Sequence, residues 1–232
     1  MEPGSWVCRC CAYRAIPGLP RPLLCPDDGL PLVPQETAER HPEDLLLGTI
    51  LDGRYAVVDI LPVRGPARIY QALQLPGKQE ISVHAPPPDE PEHIVERRRF
   101  ADIAAQLADH RHPGLLGLLD HGWLEERGGY VVTEPYRGTT LAEWAKGGGR
   151  PSSWAAALAM AVPCIEALVA PHERGLVHGA VNPSRLLLEE QPPAGAGKEG
   201  GPLRLRLMGL GLEQLFPPRR KMSHDVAALR IN

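Results

Sequence analysis

The sequence predicts an α+β protein with two lobes that follow a small cysteine-rich head. Four of the five cysteines lie within the first 25 residues. Behind them come five short segments of β-like composition with one amphipathic helical segment inserted among them, and glycine or proline separates the segments. A long apolar helical segment and two apolar runs that suit a hairpin follow. With 232 residues, the chain has room for one or two compact domains.

The composition and the net charge exclude several classes of partner. The 24 glycines and 26 prolines divide the chain into short elements, while hydrophobic residues reach 43% and suffice for a core. The formal net charge of −3 predicts no surface for nucleic acid or an anionic membrane. We also expect no membrane span, because proline or a charge interrupts every apolar stretch of about 18 residues. The N-terminus has no secretory signal, so we predict a cytoplasmic protein.

The head, residues 1–34, is too small to fold without a staple. A reducing compartment favours metal ligation by its cysteines over disulfide bonds. Cys8 and Cys11 have the C-x-x-C spacing of a metal knuckle, and Cys25 opens a segment that resembles the second knuckle of a zinc ribbon. The predicted Zn²⁺ ligands are Cys8, Cys11, Cys25 and Asp28, the last in the place of a fourth cysteine. Cys10 competes with Cys11 for one position, and a metal-free head with free thiols is the alternative.

A charged segment and a predicted antiparallel lobe follow the head. Residues 35–47 are charged and form a linker or a short helix. Five β-like runs then predict an antiparallel small lobe with its hinge over residues 48–136. The predicted strands are 54–61, 67–75, 80–85, 115–123 and 130–133. Apolar side chains recur on one side of residues 92–110, which predicts an amphipathic helix that ends at His112-Pro113.

Residues 137–232 form the predicted large lobe, which is helical, and the resemblance described below implies that this lobe is truncated. Thr140 can cap a short helix, and Ser152 or Ser153 begins a long apolar helix that ends near residue 174. Two apolar runs that suit a hairpin flank a low-complexity loop. The two runs are 185–188 and 203–212, and the loop is 191–202.

Four segments in this order resemble the eukaryotic-type Ser/Thr protein kinases, in particular their bacterial members. HERGLVHGAVNPSRLLL at 172–188 is similar to the catalytic-loop segment of that family, H-E-R-G-I-V-H-R-D-L-K-P-x-N-I-L-L. DGRYAVVDIL at 52–61 resembles the first strand, and RHPGLLGLLDHG at 111–122 resembles the segment after the regulatory helix. YVVTEPYRGTTL at 130–141 is similar to the hinge between the lobes. The resemblance implies a two-lobed protein-kinase-like fold behind the zinc-ribbon-like head.

Other residues stand where that family has its chemical groups. The resemblance places His84 at the lysine that holds the nucleotide phosphates, and Ile103 at the glutamate that pairs with it. The catalytic base falls at Ala180, and the two metal ligands fall at Arg185 and Gly209. From these five losses we predict that the chain is not an enzyme. It would be a pseudokinase, a scaffold or regulator that binds a protein partner.

The same residues determine the expected ligands and leave two alternatives open. Without phosphate and Mg²⁺ contacts, we expect neither ATP nor Mg²⁺ to bind, apart from weak adenine contacts at the hinge. One alternative is an atypical Ser/Thr kinase or another ATP-dependent transferase that uses unrecognised acids such as Glu189 or Glu190. In the other alternative, the head alone is the binding module and the kinase-like part is a spacer. His178, within the catalytic-loop segment, is predicted to be a structural histidine.

Overall fold

A computed structural model describes residues 5–15, 23–62, 65–87, 95–125, 127–190 and 203–217. Over these ranges the protein has the predicted α+β composition. The strands are Trp6–Val7 (β1), Val33–Pro34 (β2), Ile50–Leu51 (β3), Tyr55–Ile60 (β4), Arg68–Gln74 (β5), Gln79–Ala85 (β6), Leu118–Leu124 (β7), Gly128–Thr133 (β8), Thr139–Thr140 (β9), Leu186–Glu190 (β10) and Leu203–Leu207 (β11). The helices are Gln35–Arg40 (α1), Arg97–Ala108 (α2), Leu141–Lys146 (α3), Trp154–Glu166 (α4), Val169–Glu173 (α5) and Leu212–Leu215 (α6). The low-complexity loop at 191–202 lies outside the described residues, and the division into four segments stays a prediction.

The small lobe is an antiparallel sheet in the order β3-β4-β5-β6-β8-β7. All five predicted strands are present, and each begins and ends within three residues of its predicted bounds. The sheet gains β3, which pairs Ile50 with Ala56 and which sequence analysis missed. Two residues are too few to display the alternation by which a strand is recognised. Tyr55, Tyr70 and Tyr130 fill the core on one face of the sheet.

Helix α2 joins the small lobe to the large lobe. It begins at Arg97, later than the predicted start at residue 92, and residues 88–94 lie outside the described part of the chain. Phe100 packs edge-on against Trp123 of β7 and Phe216 beyond α6, with ring centroids 5.9 and 5.8 Å away. Because one aromatic side chain of α2 contacts both lobes, the helix holds them in a defined arrangement.

The large lobe contains the predicted caps and hairpin. Thr140 caps α3 by accepting a hydrogen bond from the Glu143 N–H at 3.2 Å, and the Glu143 carboxylate accepts from the Thr140 N–H at 3.0 Å. Ser153 caps α4. Strands β10 and β11 form the antiparallel hairpin. The long helix is interrupted between α4 and α5, because Pro171 has no N–H to donate to the carbonyl four residues earlier.

Helices α4 and α5 together are unusually apolar and poorly covered. Over Trp154–Glu173, 20 residues, the mean hydropathy reaches 1.7, and 17% of that window is buried. By length and composition this segment could cross a membrane. Pro163, Glu166 and Pro171 interrupt it, as predicted, but they do not lower its hydropathy below that of a membrane span. Core helices of soluble proteins meet the same criteria, and the expected absence of a membrane partner stays a prediction.

Candidate functional site

The four predicted metal ligands meet in the head. Their ligand atoms all lie within 4.8 Å of one another. Cys8 Sγ lies 3.0 Å from a carboxylate oxygen of Asp28, and Cys11 Sγ lies 3.6 Å from Cys25 Sγ. Tetrahedral zinc ligands lie roughly 3.5–3.8 Å apart when the metal–ligand bonds are about 2.0–2.3 Å long. The Cys8, Cys11, Cys25 and Asp28 cluster therefore has a donor set and a size that fit Zn²⁺, whereas Cys10 is exposed and outside it.

Backbone N–H groups donate hydrogen bonds to two of the cysteine sulfurs, but the thiol protons compete with a metal ion for these sulfurs. The Tyr13 N–H donates to Cys11 Sγ at 3.4 Å, and the Cys10 N–H donates to Cys8 Sγ at 3.4 Å. Burial and the hydrogen bond to Asp28 raise the pKa of Cys8. The Tyr13 N–H lowers the pKa of Cys11, but burial and the neighbouring ligand groups outweigh it and raise the pKa to about 12. Metal binding would release these protons, so we expect it to weaken as the pH falls.

Arg9, which lies between the ligands of the first knuckle, connects the head to the small lobe. Its guanidinium donates to carbonyl oxygens of the loop that precedes β3. The acceptors are Pro42 at 2.7 Å, Leu47 at 3.1 Å, His41 at 3.4 Å, and Asp44. The Asp44 side chain is fully buried and accepts hydrogen bonds from Arg68 at 2.6 Å and Tyr70 at 2.9 Å. The knuckle is therefore fixed to a loop that is itself anchored in the sheet.

In the cleft between the lobes, the lysine position of the resemblance holds a buried, neutral histidine. His84 lies on β6, and its Nε2 lies 3.1 Å from Thr133 Oγ1. The Thr133 hydroxyl donates to the Glu134 carbonyl, so it accepts from the ring and Nε2 carries the proton. Burial and the charge of Arg185 lower the pKa of His84 to about 3. Its other nitrogen, Nδ1, is a buried acceptor that has no hydrogen-bond partner in the described part of the chain.

Tyr136 of the hinge turns its ring into the same cleft. The ring packs edge-on against His84, with the centroids 5.4 Å apart, and joins the apolar cluster of Leu116, Leu187 and Met208. Its hydroxyl is buried and has no hydrogen-bond partner among the described residues, and burial raises the pKa of Tyr136. From sequence we expected weak adenine contacts at this hinge. The side chain instead occupies space between the lobes, an orientation that the residue type does not reveal.

Arg185 occupies one of the two metal-ligand positions of the resemblance and lies beside the other, Gly209. Arg185 is the last residue of a short 3₁₀ turn, Pro183–Arg185, and its side chain is 7% exposed. A Cβ added at Gly65, in the loop after β4, would lie 2.9 Å from Nη2 of Arg185. A Cβ added at Gly209 would lie 3.4 Å from Nη1. The guanidinium therefore lies between the loop that covers phosphates in kinases and the position of the second metal ligand.

A carboxylate that sequence analysis missed lies beside this guanidinium. Glu213 of α6 has Oε1 3.6 Å from Nη2 of Arg185, and its Cγ would lie 3.4 Å from a Cβ added at Gly179. Because Glu213 comes four residues after Gly209, outside the matched motifs, only the fold shows that it reaches the catalytic loop. Glu189, which we had considered, is bound at 2.8 Å to Arg204 and at 3.6 Å to Arg206, away from the cleft.

His178 has the structural role predicted for it. The Ala180 N–H donates to its Nδ1 at 3.2 Å, so Nε2 carries the proton and donates to the Met208 carbonyl at 3.1 Å. Burial lowers the pKa of His178 and keeps the ring neutral. The bond ties the catalytic-loop segment to the residue before Gly209. Ile103, at the position of the paired glutamate, packs into the apolar cluster beneath α2.

Comparisons with known proteins agree with this architecture. The chain is 30% identical over 183 residues to the DNA damage-responsive serine/threonine-protein kinase RqkA of Deinococcus radiodurans, an alignment of 78% of this chain and 25% of the relative. It is 26% identical over 145 residues to the serine/threonine-protein kinase PrkC of Bacillus subtilis, which covers 62% of this chain and 22% of the relative. The chain thus spans about a quarter of the length of these curated relatives. No family model matches the chain.

The solved structures agree with the same fold. The PknI kinase domain of Mycobacterium tuberculosis superimposes with a TM-score of 0.55 at 24% identity, and covers 72% of this chain and 63% of that domain. A double mutant of that domain gives a TM-score of 0.54 at 22% identity.

These comparisons contradict the prediction that the chain is not an enzyme. The relatives compared are all named serine/threonine-protein kinases, and the neighbouring structures are kinase domains. They point to a kinase, so that prediction, which rested on five replaced residues, is wrong. The sequence motifs also omitted Glu213, which the fold brings beside Arg185 and Gly179. The predicted kinase-like α+β fold is confirmed: this chain has the fold of the bacterial eukaryotic-type Ser/Thr protein kinases.

Proposed function

We propose that this chain acts as an atypical Ser/Thr protein kinase that binds a nucleotide in the cleft between its two lobes. The observation that carries the proposal is the convergence of Arg185 and Glu213 beside the catalytic loop, with 3.6 Å between Nη2 and Oε1. Phosphoryl transfer needs positive charge on the phosphate oxygens and an acceptor for the proton of the attacking hydroxyl. Here Arg185 would supply the charge and Glu213 the acceptor. The names of the relatives support this function but were given to much longer proteins.

The proposal requires the cleft to open, because Tyr136 and His84 fill part of it. Both side chains have a buried polar atom to which no described residue donates or accepts a hydrogen bond. Leaving such an atom unpaired costs about 1–3 kcal/mol, so a ligand that pairs it would recover part of that energy. A purine offers both donors and acceptors at its edge, which suits the unprotonated Nδ1 of His84 and the Tyr136 hydroxyl.

A transfer assay tests the proposed activity. The full chain is incubated with γ-labelled ATP, with Mg²⁺ or Mn²⁺, and with generic protein substrates, and label in protein is measured. We expect slow transfer that Glu213→Gln reduces by about 10²-fold or more, as for loss of a general base. Glu125→Gln is the matched control, because Glu125 is an exposed acid paired with Arg97 outside the cleft. No labelled protein, or equal labelling by the Glu213→Gln variant, would contradict the proposal.

A regulatory function through a protein partner is the second candidate. Large apolar side chains of α4 and α5 are exposed, among them Trp154 at 83% and Ile165 at 65%. Exposed apolar surface of this kind is common at protein interfaces. Capture of a partner by the intact chain should be lost on Ile165→Glu and kept on deletion of residues 1–34. If the deletion alone abolishes capture, the head is the binding module instead.

We further propose that the head holds Zn²⁺ through Cys8, Cys11, Cys25 and Asp28. The support is a donor set of three sulfurs and one carboxylate within 4.8 Å, with neighbouring backbone N–H groups directed at two of the sulfurs. Elemental analysis should find about one zinc per chain. Cys25→Ser should remove the metal, and the exposed Cys10→Ser should retain it. Retention by the first variant or loss by the second would assign the ligands differently.

A further inference from the structure

We propose that Arg185 makes the cleft a phosphate site that holds a nucleoside phosphate without a divalent cation. This inference rests on the proposed nucleotide site and names what holds its phosphates. In kinases, Mg²⁺ ions neutralise the phosphate charge. Here the two positions that ligate the metal in that family hold Arg185 and Gly209, and Gly209 has no carboxylate. The positive charge of Arg185 therefore lies where a kinase would bind its metal ion.

The guanidinium has hydrogen-bonding capacity that the described protein atoms leave unused. Arg185 is 6% exposed overall, and its Nη1 is buried without any hydrogen-bond partner. A buried ionised group without partners is costly, and an anion is the partner that repays it best. Arginine presents its N–H groups as a planar fork that matches two phosphate oxygens.

The charge of Arg185 is only partly balanced. Its described carboxylate neighbour is Glu213, and the 3.6 Å between Oε1 and Nη2 is longer than a hydrogen bond. The neighbouring polar side chains do not neutralise it, because His84 is uncharged and Tyr136 keeps its proton. Arg185 therefore retains positive charge that favours a phosphate group, and Glu213 competes with that phosphate for it.

The backbone beside Nη1 has no side chains but lies close to it. Gly65 and Gly209 flank the guanidinium, and a Cβ added at Gly65 would lie 2.9 Å from Nη2. A phosphate therefore reaches Nη1 only when the cleft opens, as the proposed nucleotide site already requires. The site would take the phosphate of a nucleoside diphosphate or triphosphate. Inorganic pyrophosphate has the same chemistry and distinguishes the phosphate contribution from that of the base.

Calorimetric titration of the zinc-loaded full chain tests the inference. The probes are the sodium salts of ADP and pyrophosphate, and adenosine, each with no added divalent cation and again with Mg²⁺. The buffer contains no chelator, so the head keeps its metal. We expect ADP to bind equally well with and without Mg²⁺, pyrophosphate to compete with it, and adenosine to bind much more weakly. Binding of ADP only with Mg²⁺, or failure of pyrophosphate to compete, would overturn the inference.

Two variants with opposite expected effects identify the residue. Arg185→Gln should weaken ADP binding at least about tenfold, the loss expected for a charge-assisted hydrogen bond. Glu213→Gln should strengthen it, because the competing carboxylate is gone, so the test survives even if the first variant folds poorly. Arg204→Gln, which alters an arginine paired with Glu189, is the control and should bind as the parent does. Unchanged binding in both cleft variants would refute the role of Arg185.

The result is separable from the proposed kinase activity. Metal-independent ADP binding without phosphoryl transfer would uphold the inference and contradict the proposed function. Phosphoryl transfer and ADP binding that both require Mg²⁺ would support the proposed function and contradict the inference.

Discussion

The link between the head and the small lobe can be tested by Arg9→Ala. The Arg9 guanidinium is half-buried and donates to backbone carbonyls across the junction. The distances are 2.7 Å to Pro42, 3.1 Å to Leu47 and 3.4 Å to His41, with Asp44 as a further acceptor. When the Arg9 side chain is removed, these carbonyls must accept hydrogen bonds from water or lose that bond. The variant should therefore destabilise the small lobe as well as detach the head.

The magnitude follows from the number and quality of these bonds. Hydrogen bonds that involve a charged group contribute about 1.5–3 kcal/mol each, and solvent reduces that for a half-exposed side chain. Counting the bonds to Pro42 and Leu47 at about half of the full value gives a loss of about 1.5–3 kcal/mol. At about 2–4 °C per kcal/mol for a chain of this size, the midpoint of thermal unfolding should fall by about 3–12 °C.

The assay is thermal unfolding of the zinc-loaded protein, followed by circular dichroism. Arg14→Ala is the matched control in the same head, because the exposed Arg14 side chain donates a hydrogen bond of 2.8 Å to the Gln35 side chain and does not reach the small lobe among the described residues. That variant should lose less than about 0.5 kcal/mol, as surface substitutions usually do. Arg9→Lys should be intermediate, since one ammonium cannot reach several carbonyls. An Arg9→Ala midpoint equal to that of the parent would refute the link.

Three further predictions concern other parts of the molecule. Gly114→Ala would place a methyl group 2.1 Å from the Pro163 carbonyl, and urea unfolding should show a loss of more than about 2 kcal/mol. Burial raises the pKa of Asp44, but its hydrogen-bond partners outweigh burial and hold it below the ordinary value. Its stabilisation is therefore present above about pH 4 and is lost as the pH falls through the lower native pKa, so urea unfolding of the parent and of Asp44→Asn should converge there. His84→Lys adds a buried positive charge near Arg185 and should lower the thermal midpoint, whereas adding Arg185→Asn should restore it; a midpoint unaffected by the second change would contradict the coupling.

Local signals in the sequence predicted most of the fold. Thr140 and Ser153 begin helices because their side chains accept hydrogen bonds from the first turn, a property of residues three positions apart. The Cys8, Cys11 and Cys25 cluster was also predictable, since the spacing of each knuckle is local. The choice between Cys10 and Cys11 was not. It depends on which way adjacent side chains of the turn point, and the fold directs Cys10 outwards.

The cleft was predicted poorly because its contacts join distant parts of the chain. Sequence comparison registers Arg185 as the loss of a metal ligand, yet the folded chain places its guanidinium against Gly65, 120 positions earlier. Glu213 lies outside every motif of the resemblance. At the hinge we expected weak adenine contacts, and the sequence did not show that the Tyr136 ring lies against His84. In each case the residue type was known, and its position relative to the other lobe decided its chemistry.

The changes in the cleft are physically consistent with one another. A lysine at position 84 would lie in a fully buried site near Arg185, and two unpaired positive charges there would destabilise the fold. A neutral histidine avoids this repulsion, and Arg185 itself helps to keep it neutral. Gly65 has no side chain in the space that the guanidinium occupies. His84, Gly65 and Arg185 are therefore best understood as a single rearrangement, in which the positive charge of the cleft comes from the catalytic loop instead of from β6.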